Sequence, residues 1–555
     1  MRPNAPVRQT DTPATRIEGP RPLWDQSAPT GTSTKAPQQD ANTKEGTILE
    51  ATDTSENPFD IVIIGLGPVG ATLANLLGLK GLSTLVLERE SEAYHLPRAV
   101  HFDDEVMRLF QTIGLADAIL PTTRLNPGMR FIDAQGALLM DWPRPLEVSG
   151  QGWHASYRFH QPDLERILRD GLQRFASVTV RARCDAFAFE QDREGVTVRY
   201  EELTTGRLRQ VRARYLVGCD GARSLVRRFI GSSMDDLGFH ERWLVVDAVL
   251  RQPKPELGDH TIQYCNPARP ATYVRGPGDR RRWEITVLPH EDSRTVVQPQ
   301  TVWSLLAPWL APDEADLERA AVYTFHSAVA RQWRAGRLLL AGDAAHQTPP
   351  FMGQGMCSGI RDVANLAWKL EAVVHGQVGE SLLDTYQSER GPDAHAYIEM
   401  AVRLGGLINT CGTEAALNAA FRDADGVVRI QSRVPRLGPG IAAGRSELAG
   451  SRFAQPRLAD GRLLDDAVGF GFALLAGERM WSAASEPVRR RFAAAGVTVV
   501  TEATCPALKP LLEAQGVGAL LLRPDRYVAG AVLDDGDLAA LADWPMAYLP
   551  QRAAA

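Results

Sequence analysis

The order of apolar and polar positions changes sharply near residue 59. Up to about residue 57 the chain is rich in Thr, Pro, Ser, Gln, Asp and Glu, and its apolar side chains do not cluster. Such a segment cannot bury enough apolar surface to offset its conformational entropy, so residues 1–57 are expected to form a disordered tail. Phe59-Asp60-Ile61-Val62-Ile63-Ile64 then makes a continuous apolar run, the pattern of a parallel strand covered on both faces. Gly65-Leu66-Gly67-Pro68-Val69-Gly70 turns the chain into a predicted helix over 71–80, and 83–88 reads as a second strand. Together they make a βαβ unit.

Residues 175–200 alternate as strands do, and Tyr215-Leu216-Val217-Gly218 is a further buried strand that ends at Cys219-Asp220-Gly221. From about 234 to 332 the pattern becomes amphipathic. A strand is expected at 243–249, and a hairpin over 271–288 turns at Gly276-Pro277-Gly278-Asp279. This block reads as an inserted sheet carrying the substrate side of a pocket. Arg337-Leu338-Leu339-Leu340-Ala341 returns the chain to the first domain, and a long helix is expected over 356–374. Beyond about 412, short strands at 469–475, 497–502 and 519–522 alternate with helical segments, the pattern of a small α/β domain. The expected division is a dinucleotide-binding domain over 58–233 and 334–411, a substrate sheet over 234–333 and a C-terminal domain over 412–555. A length of 555 residues suits two or three domains.

A formal charge of −6 gives no general basic surface for nucleic acid, which points to small-molecule partners. No apolar stretch reaches the roughly 20 residues that span a bilayer, and no apolar signal core follows the first basic residues, so a cytoplasmic protein with no membrane partner is expected. Cys184, Cys219, Cys265, Cys357, Cys411 and Cys505 contain no Cys-x-x-Cys pair, which argues against a zinc or other metal site, a redox dithiol and a disulfide scaffold.

The chemistry begins at the glycine turn. Gly65 permits a tight turn, Gly67 lets backbone approach a pyrophosphate, and Pro68 and Gly70 open the helix whose N-terminus carries favourable charge for it. Glu88, about twenty residues on, suits the hydroxyls of an adenosine ribose, with Arg89 beside it. A nicotinamide dehydrogenase would show the same fingerprint, so later segments must decide. Gly342-Asp343-Ala344-Ala345-His346 ends an apolar strand, placing the Asp343 carboxylate where it suits ribityl hydroxyls. Pro349-Pro350 and Gly353-Gln354-Gly355 then lead into the long helix at Met356, whose positive end suits a reduced, anionic flavin.

These segments, with Arg361-Asp362 and Asn365-Leu366-Ala367-Trp368-Lys369-Leu370, resemble the flavin-ribityl motif of group A flavoprotein aromatic monooxygenases. The 3-(3-hydroxyphenyl)propionate hydroxylase branch is the most similar. Pro97-Arg98-Ala99, Phe102-Asp103-Asp104-Glu105, His160-Gln161-Pro162, the 264–270 segment and Leu522-Arg523-Pro524-Asp525-Arg526-Tyr527-Val528 carry the likeness further, from about Phe59 to the end.

The resemblance implies a p-hydroxybenzoate hydroxylase-like α/β fold, in which a Rossmann-like FAD domain holds an inserted β-sheet substrate domain and a small thioredoxin-like domain follows. It implies tightly held FAD, contacted by Arg98 and Gln161 and by Asp220 and Gly221, and NADH or NADPH as a transient cosubstrate. Reduced flavin would meet O2 to give a C4a-hydroperoxide that hydroxylates a substituted phenol, either a 3-hydroxyphenylpropanoid acid or a similar monocyclic phenol. Cys505 stands alone, so the thioredoxin-like domain has lost its redox pair and serves structure or a homodimer contact.

A base or relay is needed at the phenol. His101 is the first candidate and Asp103 the second, both beside the Arg98 loop; Tyr273 on the hairpin is a third, and Pro350 is counted with them. Arg280-Arg281-Arg282 reads as a solvated cluster past a turn. Three alternatives stay open: the same fold acting on a polyketide or displacing a nitro or halogen group, a flavin-binding protein without hydroxylase activity, and a simple dehydrogenase.

Overall fold

The structure, a computed structural model, describes residues 58–93, 98–410, 433–441, 446–533 and 538–548. The tail expected over 1–57 and Pro97 lie outside the described residues, as does the onset of the C-terminal segment at 412.

The first sheet forms around the apolar run. Phe59–Ile64 pairs in parallel with Thr84–Glu88 on one side and with the end of Arg207–Gly218 on the other, and Leu338–Leu340 and Val178–Ala182 extend the parallel order outward. Ile61, Val62 and Ile63 have no exposed surface, as side chains covered on both faces require. Pro68–Leu79 and Gly355–Val374 pack on each other over this sheet. Because Phe59–Ile64, Arg207–Gly218 and Leu338–Leu340 run the same way, the loops that follow them emerge at one edge. That shared edge is where ligands sit in open α/β sheets.

The second sheet has eight strands. The long antiparallel pair Met234–Leu250 and Ala315–Ala330 is followed by Arg280–Thr286, Ala271–Arg275 and Thr261–Tyr264. The expected hairpin turn at 276–279 joins two of these strands. The sheet does not begin at 234, however. Gly128–Ile132 pairs in parallel with Thr261–Tyr264, and Leu138–Pro143 pairs with Gly128–Ile132, so the chain enters this sheet once before the expected boundary. A three-stranded sheet is formed by His101–Asp103, Ser156–Arg158 and Arg124–Leu125, with Ser156–Arg158 in the middle.

A third sheet orders its strands Thr498–Thr501, Ala473–Ala476, Ala519–Leu522 and Val528–Val532, with the first pair parallel and the others antiparallel. Its junction with the rest of the chain combines apolar packing, with Trp368 against Phe472 at 5.5 Å, and a network of buried charge. Arg108 pairs with Asp465 at 2.7 Å, Arg523 with Glu389 at 2.8 Å and Lys369 with Glu389 at 2.7 Å. Cys505 is buried, which pushes its thiol above the ordinary range. Among the described residues, no helix is long and apolar enough to cross a membrane.

Candidate active site

At the edge of the first sheet, Gly65 turns with φ +98°, and a β-carbon there would come within 2.6 Å of the Cys219 carbonyl oxygen. Only glycine fits this turn without displacing backbone. Gly67 is different, since an added β-carbon would meet nothing within 4 Å. The helix Pro68–Leu79 starts beside that space with no side-chain cap and no acidic residue in its first turn. Open room in front of uncapped, positively polarised amides fits a diphosphate. Glu88 anchors the turn by accepting the Leu66 N–H at 2.6 Å and the Glu90 N–H at 2.9 Å.

The opposite wall of this edge is Gly342–Ala344. Asp362 ties it down, accepting the Gly342 N–H at 3.2 Å and contacting His346 Nε2 at 2.6 Å and Arg390 Nε at 3.0 Å. Burial opposes a charge on Asp362, yet His346 and Arg390 outweigh it and hold the carboxyl below its usual range. Asp343, by contrast, keeps a half-exposed side chain that meets Arg98 at 3.7 Å. Gln161 accepts the Arg98 and Ala99 N–H groups at 2.7 and 2.8 Å, and the Arg98 carbonyl accepts Arg282 Nη1 at 2.9 Å. Asp220 caps the helix Leu225–Ile230 through the Leu225 and Val226 amides. Arg227 donates to the carbonyls of Ala222 and Ala344, joining the Gly221 turn to the Asp343 loop. The Gly65, Gly221 and Gly342 segments therefore converge at one edge.

Beyond the Asp343 loop, Pro350–Met352 leads to Gly353, whose φ of +64° brings its α-carbon against His101; a β-carbon would lie 3.0 Å from that side chain. His101 Nδ1 meets the Gly353 carbonyl at 3.2 Å, and its Nε2 meets the Ser156 hydroxyl at 2.7 Å. Asn126 donates to the same hydroxyl at 2.7 Å, so the serine proton turns toward His101. That assigns the neutral ring with its proton on Nδ1. Burial, followed by the charge of Arg158, lowers the His101 pKa to about 3.

Pro350, Phe351, Met352 and Gly353 form one wall of a cavity whose other wall is the second sheet. Alternation puts Thr261, Gln263, Thr272, Val274 and Glu284 on that wall. Ile262, Tyr273 and Trp283 point away into the core beyond. His101, Arg158 and Arg144 complete the lining, and the open space is narrow, about 50 Å³.

The FAD binding domain family matches residues 58–401. A probable NADH-specific resorcinol 4-hydroxylase of Rhodococcus jostii (strain RHA1) is 38% identical over 510 residues, covering 87% of this chain and 94% of that protein. A 3-(3-hydroxy-phenyl)propionate/3-hydroxycinnamic acid hydroxylase of Mycobacterium sp. (strain JLS) is 37% identical over 87% of this chain and 91% of its own. The chain belongs to the FAD-binding family of aromatic monooxygenases. Among solved structures, OxyS anhydrotetracycline hydroxylase from Streptomyces rimosus superposes with a TM-score of 0.72 at 26% identity, covering 90% of this chain and 100% of its own. The flavin-dependent monooxygenase PieE, at 23% identity, shares the fold with a TM-score of 0.77, covering 90% of this chain and 99% of its own.

Not every residue singled out in this monooxygenase sequence meets at the site. Tyr273 is fully buried against Trp283 at 5.4 Å, on the face of its strand turned from the cavity. Asp103 lies on the same strand as His101, but its carboxylate caps the next helix through the Val106 N–H and pairs with Arg361. Arg361 holds it down to a pKa of about 2 against the penalty of burial. The Arg89 side chain is exposed and pairs with its neighbour Glu90. The arginine run is not a solvated face either, since Arg281 and Arg282 are each 3% exposed. Arg282 is drawn inward because Asp247, on the neighbouring strand, takes both ends of its fork. Arg158 and Arg144 escape a reading of motifs because they lie in segments without a periodic signature, and Glu284 escapes it because a hairpin pattern does not say which of its side chains faces a cavity. The Arg-Phe-His-Gln-Pro order, which sets Arg158 three residues before Gln161, was the available clue.

Proposed function

We propose that this monooxygenase hydroxylates a small substituted phenol, with NADH or NADPH as electron donor. One oxygen atom of O2 enters the ring and the other leaves as water, the two electrons coming from the nicotinamide. The reading rests on the cavity between the Pro350–Gly353 wall and the second sheet, which adjoins the edge where the glycine turns converge. At about 50 Å³ it is tighter than the roughly 150 Å³ that accepts a benzene ring in an apolar core. A single ring therefore already requires side chains to yield, and a fused four-ring substrate far more.

Gly65, Gly67, Pro68 and Gly70 would hold the diphosphate of FAD, Glu88 its ribose, and Asp343 its ribityl chain. Arg98, Gln161, Asp220, Gly221 and Gly342 would frame the crevice. Pro349, Gly353, Gly355 and Met356 would face the ring, at a helix end with no side-chain cap and no acid in its first turn. When bound, FAD supplies the activation of O2 for attack on an electron-rich carbon. His101 acts as a positioning residue. Both its nitrogens are engaged, so it fixes the Gly353 carbonyl and the loop above the cavity and leaves no lone pair for a substrate proton.

Purified protein loaded with FAD should oxidise NADH or NADPH faster with resorcinol or 3-(3-hydroxyphenyl)propionate than with a tetracyclic phenol, and should release a hydroxylated ring. A yellow protein whose NAD(P)H oxidation no phenol accelerates would refute hydroxylation in favour of a flavin-binding role alone.

A further inference from the structure

We propose that Arg158 anchors a carboxylate on the substrate, so that the preferred phenol carries a short acidic side chain. The inference rests on the reading of the cavity as a phenol site and sharpens it. Arg158 is the cross-strand partner of His101 in the antiparallel pair of His101–Asp103 and Ser156–Arg158, so both side chains stand on the cavity face. It is 7% exposed, and its hydrogen bond is to the Thr261 hydroxyl.

The other buried arginines show how this chain treats such charges. Arg108, Arg361, Arg390 and Arg523 each have a carboxylate within 3.0 Å. Arg281 has none, and its guanidinium is met by turn carbonyls of Gly278 and Arg280. Arg158 forms no ion pair with any described residue and faces open space. Glu284 is the carboxylate whose charge reaches Arg158, without forming an ion pair with it, and it also lies 3.9 Å from Arg282 in the cluster of Arg282, Asp247 and Arg319.

Arg144 adds a second cation to the same lining, stacked 4.3 Å over the Trp142 ring. The cavity thus carries two guanidinium groups against one carboxylate. Burial, then the nearby charge of Arg144, depresses the Arg158 pKa to about 9, the mark of a cation short of compensation. A buried charge of this kind is costly unless paired, and a planar guanidinium fork matches a carboxylate in two parallel hydrogen bonds.

The test uses the FAD-loaded enzyme and its Arg158→Gln and Arg158→Lys variants. Equilibrium binding and steady-state NAD(P)H oxidation are measured with 3-(3-hydroxyphenyl)propionate, its uncharged analogue 3-propylphenol, and resorcinol. Wild-type enzyme should bind the acid at least tenfold more tightly than 3-propylphenol. Arg158→Gln should raise KM and Kd for the acid roughly 30-fold or more, with both constants for resorcinol within threefold and kcat little changed. Arg158→Lys should recover part of the loss. Equal weakening for acid and resorcinol, or no weakening, overturns the anchor. If Arg158→Gln does not fold, the wild-type comparison decides alone: 3-propylphenol binding as tightly as the acid overturns it. Failure of every phenol to bind refutes the reading of the cavity itself, whereas tight binding of neutral phenols without advantage for the acid refutes only the anchor.

Discussion

Tyr527 donates its phenolic hydroxyl to Glu105 at 2.7 Å across 422 positions of sequence. Glu105 also accepts Arg361 Nε at 2.7 Å, and Arg361 in turn reaches Asp103 and the Gln354 side chain at 3.1 Å. Gln354 precedes the first turn of Gly355–Val374, and Asp103 shares its strand with His101. A residue at the start of the last strand of the C-terminal sheet therefore touches a chain of buried charges that ends at the cavity loop. Burial works against a charge on Glu105, and Arg361 with Arg452 overcomes it, holding the carboxyl below its ordinary value.

Removing the Tyr527 hydroxyl leaves Glu105 charged and its two arginines in place, so the cost is that of one hydrogen bond to a buried ion. Tyr527→Phe should lower stability by about 1.5–3 kcal/mol. Arg361→Met strands Asp103 and leaves Glu105 with Arg452 as its remaining cation, and should cost about 3–5 kcal/mol. Urea denaturation of both variants checks the order. A Tyr527→Phe protein as stable as the parent would show that the contact carries no weight.

Gly65 and Gly67 stand two residues apart and should respond in opposite ways to alanine. At Gly65 the methyl group meets the Cys219 carbonyl and a left-handed φ, so Gly65→Ala should destabilise the fold by at least 1 kcal/mol. At Gly67 it enters open space at an extended φ of −70° and ψ of −175°, so the melting temperature of the flavin-free protein should stay within a degree or two. FAD affinity should nonetheless fall about tenfold or more, because the methyl group occupies the diphosphate position. Fluorescence titration with FAD measures it, and unchanged affinity in Gly67→Ala would displace the diphosphate from this turn.

The parts of the fold that were readable in sequence are those built from local repetition. The run 59–64, the glycine turn and the hairpin at 276–279 each announce themselves within a dozen residues, because pleat alternation and turn geometry act over that distance. Gly128–Ile132 and Leu138–Pro143 gave no such warning of joining the second sheet, since their pairing with Thr261–Tyr264 depends on a partner far along the chain. The same holds for the site. The glycine turns that converge at the sheet edge were visible because close backbone approach demands glycine at fixed spacing. The pair Glu105–Arg361 was not, because an ion pair between distant segments leaves no periodic trace, and neither was Arg158, whose place on the cavity depends on its cross-strand pairing with His101. One signal was present: Arg361-Asp362 and Lys369 interrupt an otherwise apolar helical stretch, and charges so placed must find partners.

Acidification offers a test of the neutral His101 assignment. The folded pKa of about 3 lies below the ordinary 6.5, so between these values the unfolded chain binds a proton that the folded one refuses. Stability should then be complete above about pH 6.5 and fall as pH drops toward 3, with a slope near 1.4 kcal/mol per pH unit from this group. Asp103, whose pKa is lowered from 3.8 to about 2, loses its contribution below about pH 3.8, beneath the interval compared next. Comparing wild type with His101→Gln at pH 7.5 and pH 5 isolates the residue. The wild type should lose roughly 2 kcal/mol more than the variant over that interval. Equal losses would mean that His101 is free to take up a proton in the folded protein.

The arginine run at 280–282 separates into one outer residue, Arg280, and two buried ones. Arg280 is 40% exposed and meets Glu318 at 3.5 Å, the geometry of a pair worth well under about 1 kcal/mol. Arg280→Ala should change neither the denaturation midpoint nor the KM for NADH and NADPH, which tests whether a surface cation here attracts the coenzyme. Arg282 holds Asp247 at 2.7 and 3.1 Å and donates to the Arg98 carbonyl at 2.9 Å, so it ties the second sheet to the segment that Gln161 also grips. Arg282→Met should cost about 3 kcal/mol, less than a fully stranded ion because Arg319 still faces Asp247 at 2.9 Å. It should also loosen the Arg98 segment, and with it the retention of FAD during gel filtration. An Arg282→Met protein that is destabilised yet keeps its full flavin complement would separate the two sheets' junction from the cofactor crevice.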